Sequence, residues 1–186
     1  MPKIVDHNRQ RNLIADACFE LLATEGFAAM SMRRLAKSAG VSTGTLYHYF
    51  PDKDAILLHL FDQVTQRDAM SVQAVIEEHA DLPGRLDAVL TWAEQRQDHL
   101  GRVLRVAIEI QHHDESEAGR KQLTAAARRY RMSLAESLKV EDSPVLGMLF
   151  STFLGVLIHR QLDPRGADFQ TIRQHRAMLA MLLGGT

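Results

Sequence analysis

Gly40-Val41-Ser42-Thr43-Gly44-Thr45-Leu46-Tyr47-His48-Tyr49-Phe50 is the stretch that decides how this 186-residue chain folds. A serine ahead of a short segment caps a helix by accepting a hydrogen bond from a first-turn amide. A helix begun at Ser42 places Leu46 and Phe50 four residues apart, both inward, and Pro51 ends it. Its leading end is small and polar: Ser42, Thr43, Gly44 and Thr45. Upstream, Ser31 caps a helix barely two turns long with the stripe Met32, Leu35, Ala36 and Ala39, closing at Gly40. Two short helices joined by Ala39, Gly40, Val41 and Ser42 fit a helix-turn-helix, whose second helix enters the major groove of DNA.

Outward from this pair the chain reads as all-α, with about nine helices, because apolar residues recur at spacings of three and four almost throughout. The first carries Leu13, Ile14, Ala17, Cys18, Leu21 and Leu22 and stops at Gly26, with Phe27 folding back over its last turn. A fourth, capped by Asp52, carries Ile56, Leu57, Leu60, Phe61 and Val64 and runs to about Glu78. Breaks then fall at Pro83 and Gly84, His99 to Gly101, Asp114 to Ser116, Ser143 and Pro144, and Asp163 to Gly166, leaving room for five more helices. Residues 1–54 read as a three-helix DNA-binding domain and 55–186 as a helical bundle.

Charge supports a nucleic-acid role only weakly. The chain carries -1 overall; its first 53 residues hold seven basic against five acidic side chains, +2, and the remainder is -3. The apolar run Val145 to Ile158 is shorter than the ~20 residues of a bilayer span, and the polar start has no signal-like apolar core, so no membrane partner and a cytoplasmic location are expected. The lone Cys18 sits on an apolar stripe and reads as a small core residue. His112, His113, Asp114 and Glu115 are contiguous on a helix, where neighbouring side chains diverge by about 100° and cannot close on one ion; no metal and no cofactor are expected. Neither a nucleophile–base–orienter set nor a glycine-rich phosphate loop is found, so no catalytic residue is expected.

The run from Gly40 to Phe50, followed by Lys53, resembles the signature of the TetR family of transcriptional regulators, as do Ala17, Glu25-Gly26-Phe27 and Leu35-Ala36 upstream. That resemblance covers about the first 60 residues. It implies a ligand-responsive repressor that binds a near-palindromic DNA operator as a homodimer and is released by a small-molecule effector. By position, Thr43, Tyr47 and His48 would meet bases or backbone, Lys53 a phosphate, Ser42 and Thr45 the same surface, and Ser31, Arg33 and Arg34 the flanking backbone. Arg34 departs from the acidic residue common there. Each also has a plainer reading: Tyr47 as packing, the arginines as a solvated face, the threonines as helix-start chemistry. Taken together they favour DNA contact.

Gly147, Ser151 and Gly155, four apart, put small residues on one helix face and permit close approach of another helix; Phe150, Leu154 and Ile158 flank them, and the final helix adds Leu179 and Leu182. The resemblance implies that these last two helices pair across a two-fold axis, the alternative being packing within one chain. It further implies an effector pocket in the bundle, with Trp92, Arg105, Glu109, Tyr130, Phe150, Phe153 and His159 as candidate lining residues. A dimeric interaction module that keeps this fold without binding DNA is the competing function.

Overall fold

In the computed structural model the described residues are 7–26, 30–75, 79–113, 117–163 and 169–184. They form α1 (His7–Glu25), α2 (Met32–Ser38), α3 (Thr43–Tyr49), α4 (Lys53–Ala74), α5 (Leu82–Gln95), α6 (Gln97–His113), α7 (Glu117–Leu138), α8 (Pro144–Leu162), α9 (Gln170–Gln174) and α10 (Arg176–Gly184). No strand occurs among the described residues.

That is ten helices rather than nine. The last segment is interrupted at His175, whose amide donates to Ile172 O at 3.1 Å, a tightened turn that separates α9 from α10. The break between α5 and α6 lies at Arg96, not at His99 to Gly101. Gly101 is buried inside α6, and a Cβ built there would run into the Gln161 side chain of α8. It does not end a helix, and a Cβ there would need only the flexible end of the Gln161 side chain to move aside. α4 stops at Ala74, short of Glu78, where Val75 N–H turns back to Val72 O at 3.3 Å. Phe27, Glu78, Asp114 and Glu115 lie outside the described residues.

Two compact units follow from the packing: Met1–Val64 with Arg105–Thr124, and Thr65–Leu104 with Ala125–Thr186. The first unit's core comprises Ile14, Ala15, Cys18, Phe19 and Leu22 of α1, Leu35 and Ala36 of α2, Leu46 and Phe50, and Ile56, Leu57, Leu60, Phe61 and Val64 of α4. Leu13, expected on that stripe, is exposed; the buried face of α1 is rotated toward Ala15 and Phe19. Burial pushes the Cys18 thiol up to about 11, which leaves it protonated and inert at neutral pH.

In the second unit Leu86, Val89, Leu90 and Ala93 of α5 meet Leu134, Ala135 and Leu138 of α7 and Leu146, Leu149, Val156 and Leu157 of α8, with Phe169, Ile172 and Leu183 closing the core. Pro83 and Ser143–Pro144 mark helix starts. Asp81 accepts from Gly84 N at 2.9 Å and Ser143 from Leu146 N at 3.3 Å, so each break doubles as a cap.

Candidate functional site

The turn between α2 and α3 is closed by backbone bonds. Gly40 N–H donates to Lys37 O at 3.2 Å and Val41 N–H to Ala36 O at 3.0 Å, the paired bonds of a Schellman motif. Gly40 adopts φ +65°, a left-handed conformation that side chains with a Cβ disfavour. Ser31 Oγ accepts from Arg34 N at 3.3 Å and Ser42 Oγ from Thr45 N at 3.0 Å, so both expected caps are formed.

Leu46 and Phe50 are fully buried, which fixes the rotation of α3. Thr43, Gly44, Thr45, Tyr47 and His48 are thereby left facing out, Tyr47 with 54% of its surface exposed. The Thr45 hydroxyl is 2.8 Å from Ser42 Oγ and thus serves the cap. Phe50 lies under the Arg11 guanidinium, 4.9 Å from its centroid, and 5.5 Å from the His59 ring. His7 stacks against His48 and Tyr49 at 5.5 and 5.3 Å. α3 is therefore held from α1 and α4 on its inner side while its outer side is open.

Behind it, His59 Nε2 lies 2.9 Å from Asn12 Oδ1, Gln63 Nε2 donates to Asp16 Oδ1 at 2.9 Å, and Ser38 Oγ donates to Ala17 O at 2.8 Å. Asp52 Oδ1 accepts from Ala55 N at 2.7 Å, capping α4 and setting half-buried Lys53 at its first residue, where it lines a small cavity together with Cys18, Leu22, Leu35, Ile56 and Leu57. Arg33 is exposed. Arg34 pairs with Glu25, which ties α2 to the end of α1 and neutralises part of the added basicity.

Burial, then the Arg11 charge, hold the His59 imidazole below its ordinary value of 6.5, against the opposing pull of Asp62 and Asp16. With the folded value depressed, His59 contributes stability in full above about pH 6.5 and loses it as pH falls through the folded value. The denaturation midpoint of the first unit should accordingly fall on acidification below about 6.5, and His59→Gln, which keeps a partner for Asn12, should flatten that slope; an unaltered slope would contradict the assignment.

The bundle residues have several distinct surroundings. Trp92 is buried and donates to Ser71 Oγ at 3.1 Å; Tyr130 donates to Asp68 Oδ2 at 2.6 Å. Burial, then the Asp68 charge and hydrogen bond, push the Tyr130 phenol well above its ordinary value. Phe153 stacks on Phe169 at 5.5 Å, and Phe150 and Phe153 pack partly buried against the second core. Exposed His159 does not join them, while exposed Arg105 and half-buried Glu109 fall in the first unit. Sequence reasoning missed Asp68 and His99, whose Nε2 is 2.9 Å from Asp68 Oδ1. The available signal was an acidic residue at a position continuing the apolar stripe of Phe61, Val64 and Val72.

On α8, Ser151, Gly155 and Ile158 are exposed and Gly147, Phe150 and Leu154 half-buried. A Cβ at Gly147 or Gly155 would meet nothing within 4 Å. Met148 and Leu162 of α8 and Met181 of α10 are 71%, 80% and 77% exposed, beside exposed Leu182 and half-buried Leu179. α8 is long and apolar enough to cross a membrane by length and composition, with mean hydropathy 1.4 and 22% of that window buried. The uninterrupted run counted from the sequence understated it, since the helix continues through His159 and Arg160 to Leu162. Among the described residues no group of three or more histidine, cysteine, aspartate or glutamate side chains is placed to hold a metal.

Residues 14–60, which include α2, α3 and their turn, match the family of bacterial regulatory proteins, tetR family. This head is a tetR-family domain. The chain is 37% identical over 67 residues to the HTH-type transcriptional regulator PksA of Bacillus subtilis (strain 168), 36% of this chain and 33% of that protein. It is 44% identical over 61 residues to the HTH-type transcriptional regulator EthR of Mycobacterium tuberculosis (strain CDC 1551 / Oshkosh), 33% and 28% of the two. The matched stretch thus spans about a third of these relatives' length. At 21% identity, the regulator FadR of Bacillus subtilis, solved in complex with stearoyl-CoA, superposes on 94% of this chain and 98% of its own with a TM-score of 0.67. The fold of this chain thus matches that of FadR through the helices that follow the head as well.

Proposed function

We propose that this chain is a cytoplasmic, ligand-responsive DNA-binding transcriptional regulator acting as a homodimeric repressor. The observation that carries the reading is the rotation of α3: Leu46 and Phe50 are buried, which leaves Thr43, Tyr47 and His48 outward from a capped leading end. Residues 1–54 serve as the DNA-binding domain and 55–186 as the effector-binding and dimerisation domain. Ser42, Thr45, Ser31, Arg33 and Lys53 support the contact surface; Arg34 acts chiefly through Glu25.

The open apolar strip of α8 and α10 is the dimer face, centred on Gly147, Ser151 and Gly155 with Phe150, Leu154, Ile158, Leu179 and Leu182 beside them. Small residues let a second helix approach closely, and a +2 head gains from being doubled at a fixed spacing, so that the pair fits a near-palindromic operator. A small molecule in the bundle releases DNA by preferring a conformation with another head spacing; that FadR, of similar fold, is solved in complex with stearoyl-CoA supports a small-molecule ligand.

Binding to a selected duplex across a salt series tests the contact assignments. Tyr47→Ala should cost about ten- to hundredfold in affinity for the selected sequence while leaving non-specific binding nearly unchanged. Lys53→Ala should weaken binding to every sequence alike and reduce the slope of log affinity against log salt by about one. Equal affinities of both variants and the parent protein at all salt concentrations would remove α3 and Lys53 from the interface.

A further inference from the structure

His7 opens α1 and is exposed, yet its ring lies against two side chains of α3. Its centroid is 5.5 Å from that of His48 and 5.3 Å from that of Tyr49. His48 and Tyr49 are themselves 5.2 Å apart, edge to face, with their planes at 78°. The three rings form a closed cluster, each pair within the span of roughly 4.5–7 Å over which aromatic rings attract one another. All three belong to the first unit.

The spacing along α3 gives this cluster its meaning. Successive side chains on a helix are turned by about 100°, so His48 points away from the side on which Leu46 and Phe50 are buried. A side chain on that outermost line takes no support from the core, and one that is ordered only when a partner binds subtracts the cost of ordering from the affinity. Tyr49, half-buried, flanks His48 from within α3; His7 flanks both from another helix. Among the described residues no hydrogen bond engages the His48 imidazole, so the neighbouring rings set its plane while its nitrogens stay open to a ligand.

We propose that His7 is a positioning residue of the DNA-reading surface: it holds the His48 imidazole in the orientation in which that ring meets the duplex. α1 thereby takes part in recognition through its first residue, outside the helix-turn-helix. The inference rests on the DNA-binding reading above and deepens it.

The test measures the affinity of the full-length protein for the duplex that the parent protein selects from a random pool, by anisotropy of the labelled DNA, in a double-mutant cycle. His7→Ala should weaken binding about three- to tenfold, the cost of ordering one freed side chain, with the denaturation midpoint unchanged. His48→Ala should weaken it by at least as much. Adding His7→Ala to His48→Ala should then cost nothing further, because His7 acts through that ring alone. His7→Phe, which keeps a flat ring and drops both nitrogens, should restore the parent affinity.

Parent affinity in His7→Ala would overturn the proposal. So would a His7→Ala loss of the same size in the His48→Ala background, which makes His7 a DNA contact in its own right. A His7→Phe protein as weak as His7→Ala would assign the effect to the ring nitrogens, and a loss of affinity matched by a fall in the denaturation midpoint would assign it to the fold; either sinks the positioning role. If the parent selects a duplex that Tyr47→Ala binds weakly and His7→Ala binds as the parent does, the DNA-binding reading stands and the role of His7 falls; if the parent selects none, both fall.

Discussion

Phe50→Ala is expected to destabilise the head by about 3–5 kcal/mol, the usual range for emptying a fully buried phenylalanine site, and to abolish selective DNA binding with it. Phe50 has no exposed surface and closes α3. It lies between the Arg11 guanidinium and the His59 ring, so that α1 and α4 both bear on it. The alanine leaves these groups facing a cavity. It also frees the rotation of α3, on which the outward placement of Tyr47 and His48 depends. Denaturant unfolding followed by far-ultraviolet circular dichroism measures the change; a loss below about 1 kcal/mol would mean that α3 is held by something other than its inner face.

Gly155→Arg should convert the protein to a monomer and lower affinity for the selected duplex by about two orders of magnitude, because the avidity of two linked heads disappears. The argument turns on what faces Gly155. In one chain a Cβ there meets nothing within 4 Å, so as a solvated position it would take any side chain, and alanine would stabilise the helix by about 1 kcal/mol. As the centre of a two-fold interface it would bury two arginines against each other at a cost of several kcal/mol. The exposed Met148, Ile158 and Leu162, three, four or seven residues from one another or from Gly155 along α8, favour the second case, since several large apolar side chains on one helix face are uncommon on a solvated surface. Sedimentation velocity separates the two outcomes: an unchanged mass for Gly155→Arg, with Gly155→Ala more stable, would leave the strip to some other partner.

Local chemistry was legible in the sequence wherever a single turn of chain decides the outcome. Ser31 and Ser42 cap, Gly40 takes the left-handed turn, Leu46 and Phe50 point inward and Asp52 opens α4, each by interactions within about four residues. Glycine proved ambiguous at Gly101: composition marks a break, whereas the residue lies within α6 where the Gln161 side chain approaches. Periodicity misjudged Leu13 because an apolar residue at the edge of a stripe can fall on either side once neighbouring helices choose the face. Asp68 was legible only in part: its place on the apolar stripe of Phe61, Val64 and Val72 hints at burial, but its partners lie 31 and 62 residues away and are set only when the helices pack. Arg34 shows the converse: its type suggested added basicity, and its Glu25 partner, nine residues back, takes that charge up.

The central claim is that two copies of α3, held by a paired bundle, read DNA sequence. Selection of bound duplexes from a random pool measures this directly. The account predicts enrichment of a near-palindromic sequence whose half-sites are separated by about one helical turn or a multiple of it, and loss of that enrichment in both Tyr47→Ala and Gly155→Arg. An unenriched pool at low salt, where phosphate attraction is strongest, or enrichment that survives both substitutions, would contradict it.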